Sequence, residues 1–146
     1  MYDWLADINK KAPVVGWGPN IPKFKVFVAA TAHYSIRKSL SILGLGEHCV
    51  EKVVVDLDSR LCTKALRKHL EECLEKRIPV LGVAGIVGTT EESTVDDLVK
   101  ILEIKNEFAA KGLYFHFHID GAYGGYFVSM TKDMQPGHWN SYSSFV

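Results

Sequence analysis

Tyr114-Phe115-His116-Phe117-His118-Ile119-Asp120-Gly121-Ala122-Tyr123-Gly124-Gly125 is a strand-like aromatic run that ends abruptly in one carboxylate followed by small residues. Alternation along a strand puts His116, His118 and Asp120 on one face and Phe115, Phe117 and Ile119 on the other. In open α/β sheets ligands bind outside the carboxyl ends of the strands, so Asp120 is expected at the rim where a ligand sits. The plain alternative for Asp120 is a helix N-cap or turn residue.

Upstream of this run, Gly112 ends a helical pattern in which Val95, Leu98, Leu102 and Ala109 recur. Its start is expected near Ser93 or Thr94, where Ser93 with Asp96 and Thr94 with Asp97 resemble a capping box. Before it, residues 80–87 form a continuous apolar run, as a central strand covered on both faces would. Residues 63–77 are amphipathic, with Leu66, Leu70, Cys73 and Leu74 on one stripe. Its charges read as a solvated face, with Glu72 and Lys76 one i,i+4 pair and Arg67 and Glu71 another. Residues 50–55 and 24–30 are two further strands, and between them 35–43 has helical spacing at Ile36, Leu40 and Leu43 until Gly44 and Gly46 stop it.

The order is therefore βαβαβαβ, with a fourth strand over 113–120. Helices of this length between strands imply right-handed crossovers and an α/β fold, a mostly parallel sheet with helices on both faces. One partial domain spans the 146 residues. Its ends, 1–22 and 129–146, read as irregular: the first carries the turn-rich Gly16-Trp17-Gly18-Pro19-Asn20, the second loop chemistry with aromatics and methionine that something else is expected to cover. Those aromatics suggest an excerpt of a longer protein.

Composition excludes more than it assigns. With 17 basic and 17 acidic residues the net charge is zero, which favours a small-molecule ligand over nucleic acid or an anionic membrane. Cys49, Cys62 and Cys73 are odd in number and lack CxxC spacing, so they read as buried thiols in a reducing compartment rather than as a disulfide framework or zinc cluster. No apolar run approaches a membrane span and the amino terminus lacks a signal-peptide layout, so the expected location is cytoplasmic. His116, His118 and Asp120 also read as an HxHxD run, the ligand types of a zinc hydrolase. Beyond His33 no convincing partner set exists for it, and no metal is assigned.

Four linked motifs carry a resemblance. Ala32-His33-Tyr34-Ser35, Leu43-Gly44-Leu45-Gly46, Gly88-Thr89-Thr90 and His118-Ile119-Asp120-Gly121-Ala122-Tyr123-Gly124-Gly125 resemble, in order and spacing, the pyridoxal-phosphate-dependent group II amino-acid decarboxylases. Val87-Gly88-Thr89-Thr90-Glu91-Glu92-Ser93 and the histidine-rich approach to Asp120 look most like the tyrosine-decarboxylase-like branch. The likeness covers roughly residues 23–130. It implies part of the large, cofactor-binding domain of a PLP-dependent transferase-like (fold type I) protein, with pyridoxal 5'-phosphate as cofactor and an L-amino acid, tyrosine or another aromatic one, as substrate. A homodimer is implied for the full-length enzyme.

By the same resemblance Asp120 is the partner of the cofactor's pyridine nitrogen and a catalytic residue. The physics suits that role, because unit charges about 4 Å apart at an effective dielectric of about 20 attract by roughly 4 kcal/mol, about three pKa units before desolvation. His33 matches the histidine stacked on the cofactor ring, and is assigned both catalytic and cofactor-binding roles; alone it would read as a surface or capping residue. The Thr90 hydroxyl is placed near the cofactor, with an ST-turn before Ser93 as its local alternative. Ala122 matches the small residue against the other ring face, whereas Gly121 stands where the family usually has alanine. The Tyr123-Gly124-Gly125 tail reads as backbone accommodation.

The Schiff-base lysine that the family places directly after a histidine has no match: Lys132, the only lysine after Asp120, follows Thr131 in a loop-like segment. No Ser/Gly-rich phosphate loop precedes the first strand. The expectation is amino-acid decarboxylation by the parent protein and inactivity of these residues alone. The other reading is a non-catalytic α/β remnant or interaction module.

Overall fold

Four strands alternate with helices over residues 23–131, the part of the chain that the computed structural model describes. The elements are β1 (Lys25–Ala29), α1 (Ser35–Ile42), a 3₁₀ turn (Glu47–Cys49), β2 (Val50–Val53), α2 (Thr63–Glu75), β3 (Val80–Ile86), α3 (Leu98–Ala110), β4 (His116–Asp120) and α4 (Gly125–Thr131). The strands form one sheet in the order β2-β1-β3-β4, and every neighbouring pair is parallel. The chain moves from β1 outward to β2, then crosses back over β1 to β3 and on to β4. The direction of winding thus reverses between β1 and β3, which opens a crevice at their carboxyl ends.

Helices cover both faces, as the alternation of elements implies. On one face α2 and α3 bury Leu66, Leu70, Ile101, Ile104 and Phe108 against Phe27, Val53 and Val83 of the strands. Full burial of each such side chain contributes about 1.5–3 kcal/mol, so this face holds most of the core energy. On the other face, among the described residues, the eight-residue α1 packs through Leu40, and the 3₁₀ turn through Cys49, over Val26, Val28 and Ala84. β3 is central but less covered than an apolar run implies: Leu81 is 42% exposed on the thinly covered side.

The helix ends follow from local chemistry. After α1 the Gly44 N–H bonds the Ser41 carbonyl and the Leu45 N–H the Leu40 carbonyl, each at 3.0 Å, the paired bonds of a Schellman motif. The same pattern ends α3, with Gly112 at φ 89°. It also ends α2, but there the left-handed position is Arg77, at φ 53°.

Several expectations need correction. The third long helix starts at Leu98, not near Ser93 or Thr94: Asp97 is its N-cap and accepts from the Lys100 N–H at 3.0 Å. Ser93 has φ 56°, which ends any helical run there, and Val95 bridges to Val87 rather than lying on the helix. The buried stripe of α3 is accordingly Leu98, Ile101, Ile104 and Phe108, with Leu102 and Ala109 only flanking it. Glu72 and Lys76 do pair, but Arg67 pairs with Glu107 of α3 instead of Glu71, because the guanidinium reaches across the α2–α3 contact. The first helix stops at Ile42, and strands expected over 24–30, 50–55 and 113–120 are shorter at one or both ends.

Residues 129–131, expected to be irregular, belong to α4. Its first turn hangs on carbonyls of the glycines, with the Gly125 N–H on Gly121 and the Phe127 N–H on Gly124, a start hidden by poor helix formers. The irregular segment 1–22, the remainder of 129–146 and Lys132 lie outside the described residues. Among the described residues no helix is long and apolar enough to cross a membrane.

Candidate active site

His33 leaves the end of β1, Thr90 follows β3 and Asp120 is the last residue of β4, so three different strands deliver them to one rim. They line, together with Ala122, a single cleft of about 260 Å³ at the switch point. All four residues singled out in the sequence therefore meet. Ser35, Gly88, Thr89 and Tyr123 also face this cleft.

Asp120 is held from both sides. Its carbonyl accepts the Val87 N–H at 2.9 Å, which ties the ends of β3 and β4 together. Its Oδ1 accepts the Ala122 N–H at 3.1 Å, an Asx-type turn that swings the chain away from the strand. The turn alternative for Asp120 is thus met, and its second carboxylate oxygen makes no hydrogen bond among the described residues.

The turn closes tightly on β3. The Gly124 N–H bonds the Val87 carbonyl at 2.8 Å, and a Cβ at Gly124 would overlap that same carbonyl oxygen. A Cβ at Gly88 would stand 2.9 Å from the Gly124 Cα. These two positions need glycine for close backbone approach, and Ala122 is carried into the cleft by it.

His33 is exposed, and its Nδ1 accepts the Ser35 N–H at 3.3 Å, so the imidazole satisfies one of the free donors at the start of α1. Capping sets the ring's orientation beside the cleft. The ST-turn expected at Thr90 does not form; the neighbouring, buried Thr89 closes a wider loop, its Oγ1 accepting the Thr94 N–H and lying 3.1 Å from the Thr94 hydroxyl. Thr90 is left exposed on the cleft wall, and borders a second, continuous hollow of about 480 Å³ with His33, Glu91 and Glu92.

Sequence reasoning missed Asp96, which is 3% exposed. Its Oδ1 accepts the Leu61 N–H at 2.7 Å and its Oδ2 the Ile86 N–H at 2.8 Å. Burial pushes its pKa above the ordinary carboxylate range, and the two N–H bonds pull it back without cancelling that shift. A carboxylate beside a hydroxyl three residues earlier reads as a capping pair, and nothing in the local pattern marks it as buried. Of the three thiols expected to be buried, Cys49 and Cys73 are, and burial raises both as inert thiols require, whereas Cys62, at the start of α2, is only partly buried.

The zinc reading fails on geometry. Side chains two apart on a strand are about 6.6 Å apart, so His116 and Asp120 stand about 13 Å from each other, beyond the reach of one ion with bonds of about 2 Å. Among the described residues no group of three or more histidines, cysteines or carboxylates is placed to hold a metal. His116 and His118 line, with Leu81, Ile36 and Asp120 itself, the groove beside α1, spread along the strand rather than converging on one point.

What the cleft offers is a carboxylate at its floor, an imidazole on its wall, a hydroxyl, and small residues with closely packed backbone. That set fits a planar, protonated nitrogen heterocycle such as the ring of pyridoxal phosphate. Among the described residues no lysine or arginine lines the cleft.

Comparison with known proteins agrees with this chemistry. Residues 14–137 match the model of the pyridoxal-dependent decarboxylase conserved domain. The chain is 40% identical over 130 residues to the L-tyrosine decarboxylase of Enterococcus faecium, covering 88% of this chain and 21% of that protein. It is 41% identical over 110 residues to the L-2,4-diaminobutyrate decarboxylase of Rhizobium meliloti, covering 74% of this chain and 21% of that one. The chain thus spans about a fifth of the length of such relatives. Among solved structures, the glutamate decarboxylase domain of the diaminobutyrate-pyruvate transaminase and L-2,4-diaminobutyrate decarboxylase from Vibrio parahaemolyticus superposes with a TM-score of 0.65 at 27% identity, covering 84% of this chain and 26% of its own. That likeness carries the expected fold type I large domain. The chain therefore belongs to the pyridoxal-dependent decarboxylase family, and within it resembles the tyrosine decarboxylases.

Proposed function

We propose that the whole protein carrying these residues decarboxylates an L-amino acid with pyridoxal 5'-phosphate, and that this domain holds the ring of the cofactor. The observation that carries the reading is the convergence of His33, Thr90, Asp120 and Ala122 on one switch-point cleft. When bound, the cofactor supplies an electron-accepting ring that takes up the electron pair left as the α-carboxylate departs as carbon dioxide.

Each residue has a task that follows from its placement. Asp120, tied to β3 through its main chain and turned by Ala122, presents an anion that keeps a proton on the ring nitrogen and so strengthens the electron sink. The His33 imidazole, oriented by the Ser35 N–H, sets the plane of the ring by stacking. Ala122 leaves room for the opposite ring face, and Thr90 offers a hydroxyl donor at the margin.

Tyrosine or another aromatic amino acid is the substrate suggested by the relatives, and the protein works as a cytoplasmic homodimer with no nucleic-acid or membrane partner. The 146-residue chain is inactive by itself, because the Schiff-base lysine and the phosphate loop lie outside the recognised motifs.

Asp120→Ala in the whole protein tests the reading. Carbon dioxide release from L-tyrosine and a panel of other L-amino acids should fall by at least a thousandfold while the far-UV circular dichroism stays unchanged. Retained activity would remove Asp120 from the mechanism.

A further inference from the structure

β1 and β3 pair only as far as Phe27 and Val83, although β1 continues to Ala29 against β2 and β3 to Ile86 against β4. The two central strands therefore fork just below the cleft. Val87 turns its N–H to the Asp120 carbonyl and its carbonyl to the Gly124 N–H, both on the β4 side. Strand alternation then points the N–H and carbonyl of Ile86 the other way, toward the side that β1 has left.

One residue takes both of those groups. Asp96 Oδ2 accepts the Ile86 N–H at 2.8 Å, and the Asp96 N–H donates to the Ile86 carbonyl at 2.9 Å. Its remaining oxygen, Oδ1, accepts the Leu61 N–H at 2.7 Å from the loop that follows β2. A buried carboxylate carries a desolvation cost that its hydrogen bonds must offset, and an apolar filler would leave both N–H donors unpaired. Its geometric value is that it joins three segments at one point, directly beneath the residues of the cleft wall.

We infer that Asp96 is a positioning residue for the ring site: its carboxylate stands in for the strand that β1 ceases to be, locks the end of β3 to the loop after β2, and thereby sets the distance between His33 and residues 88–90. Asp96 itself does not line the cleft. The inference rests on the reading of that cleft as the site of the cofactor ring.

The test is a titration of the whole apoprotein with pyridoxal phosphate, followed by absorbance, for wild type, Asp96→Asn and Asp97→Ala. Asparagine keeps the size of the side chain but offers an NH₂ to one of the two N–H donors, leaving that donor unpaired. Asp97→Ala removes the neighbouring N-cap and lowers thermal stability without touching the fork. Asp96→Asn should weaken binding at least tenfold, and Asp97→Ala should leave it within twofold. Wild-type affinity in Asp96→Asn, or losses in both variants that follow their melting temperatures, would overturn the inference. If wild type takes up no cofactor, the underlying reading fails and this inference fails with it. Should Asp96→Asn not fold, amide exchange in the wild type decides: cofactor binding should slow the Leu61 and Ile86 amides at least tenfold, and unchanged rates would overturn the coupling.

Discussion

Gly124 carries a constraint that belongs to backbone rather than side chain. Its N–H reaches the Val87 carbonyl at 2.8 Å, and any Cβ would collide with that oxygen. Gly124→Ala must therefore push the turn at 121–125 away from β3. Overpacking of this kind costs about 1–3 kcal/mol, and here it also displaces the turn that sets Asp120 and Ala122. Thermal unfolding of the variant should show the destabilisation, and its affinity for pyridoxal phosphate should fall in step; an unchanged melting temperature would mean that the turn is not locked. At this scale the sequence is readable where chemistry is local and unreadable where it is not. An acid ending a strand marks Asp120, whereas His33 taken alone reads as a capping residue and stands out only beside the other motifs. Asp96 makes its bonds to residues 35 and 10 positions away, so no neighbouring residue betrays it.

Helix ends show the same division at the scale of elements. The glycines at 44 and 112 announce their Schellman stops, whereas Arg77 occupies the equivalent position at φ 53° without the residue that suits it. A left-handed conformation costs a non-glycine residue about 1–2 kcal/mol, part of which glycine's own chain entropy offsets. Arg77→Gly should raise stability by about 0.5–1 kcal/mol, read as a higher urea midpoint with unchanged slope; a lower midpoint would show that the arginine side chain contributes more than the backbone loses. The start of α3 escapes sequence reading for a related reason. Two apolar stripes that share Leu98, the expected Val95-Leu98-Leu102-Ala109 and the buried Leu98-Ile101-Ile104-Phe108, both have helical spacing, and the hydroxyl–acid pairs at 93–97 imitate a cap. The sheet decides between them by bonding Asp96 to Ile86 and bridging Val95 to Val87, which delays the helix to Leu98.

For the molecule as a whole, the parallel sheet and its two helical faces are legible because alternating periods of two and 3.6 leave few topologies open. The strand order is not written in any one element. It emerges from the crossover between β2 and β3, and it is this reversal that gathers His33, Thr90 and Asp120 from three strands into one crevice. The thin cover on the α1 face, with Leu81, His116 and His118 bordering an open groove, is also beyond reach of periodicity, since an apolar run cannot report how much of it is met by a partner.

The central claim is that Asp120 holds a proton on the ring nitrogen of pyridoxal phosphate. Nitrogen-15 NMR of the whole protein loaded with ring-labelled cofactor reads that proton directly. The account predicts the chemical shift of a protonated pyridine nitrogen in the wild type at neutral pH, moving to the unprotonated position in Asp120→Ala. An unprotonated nitrogen in the wild type would contradict it.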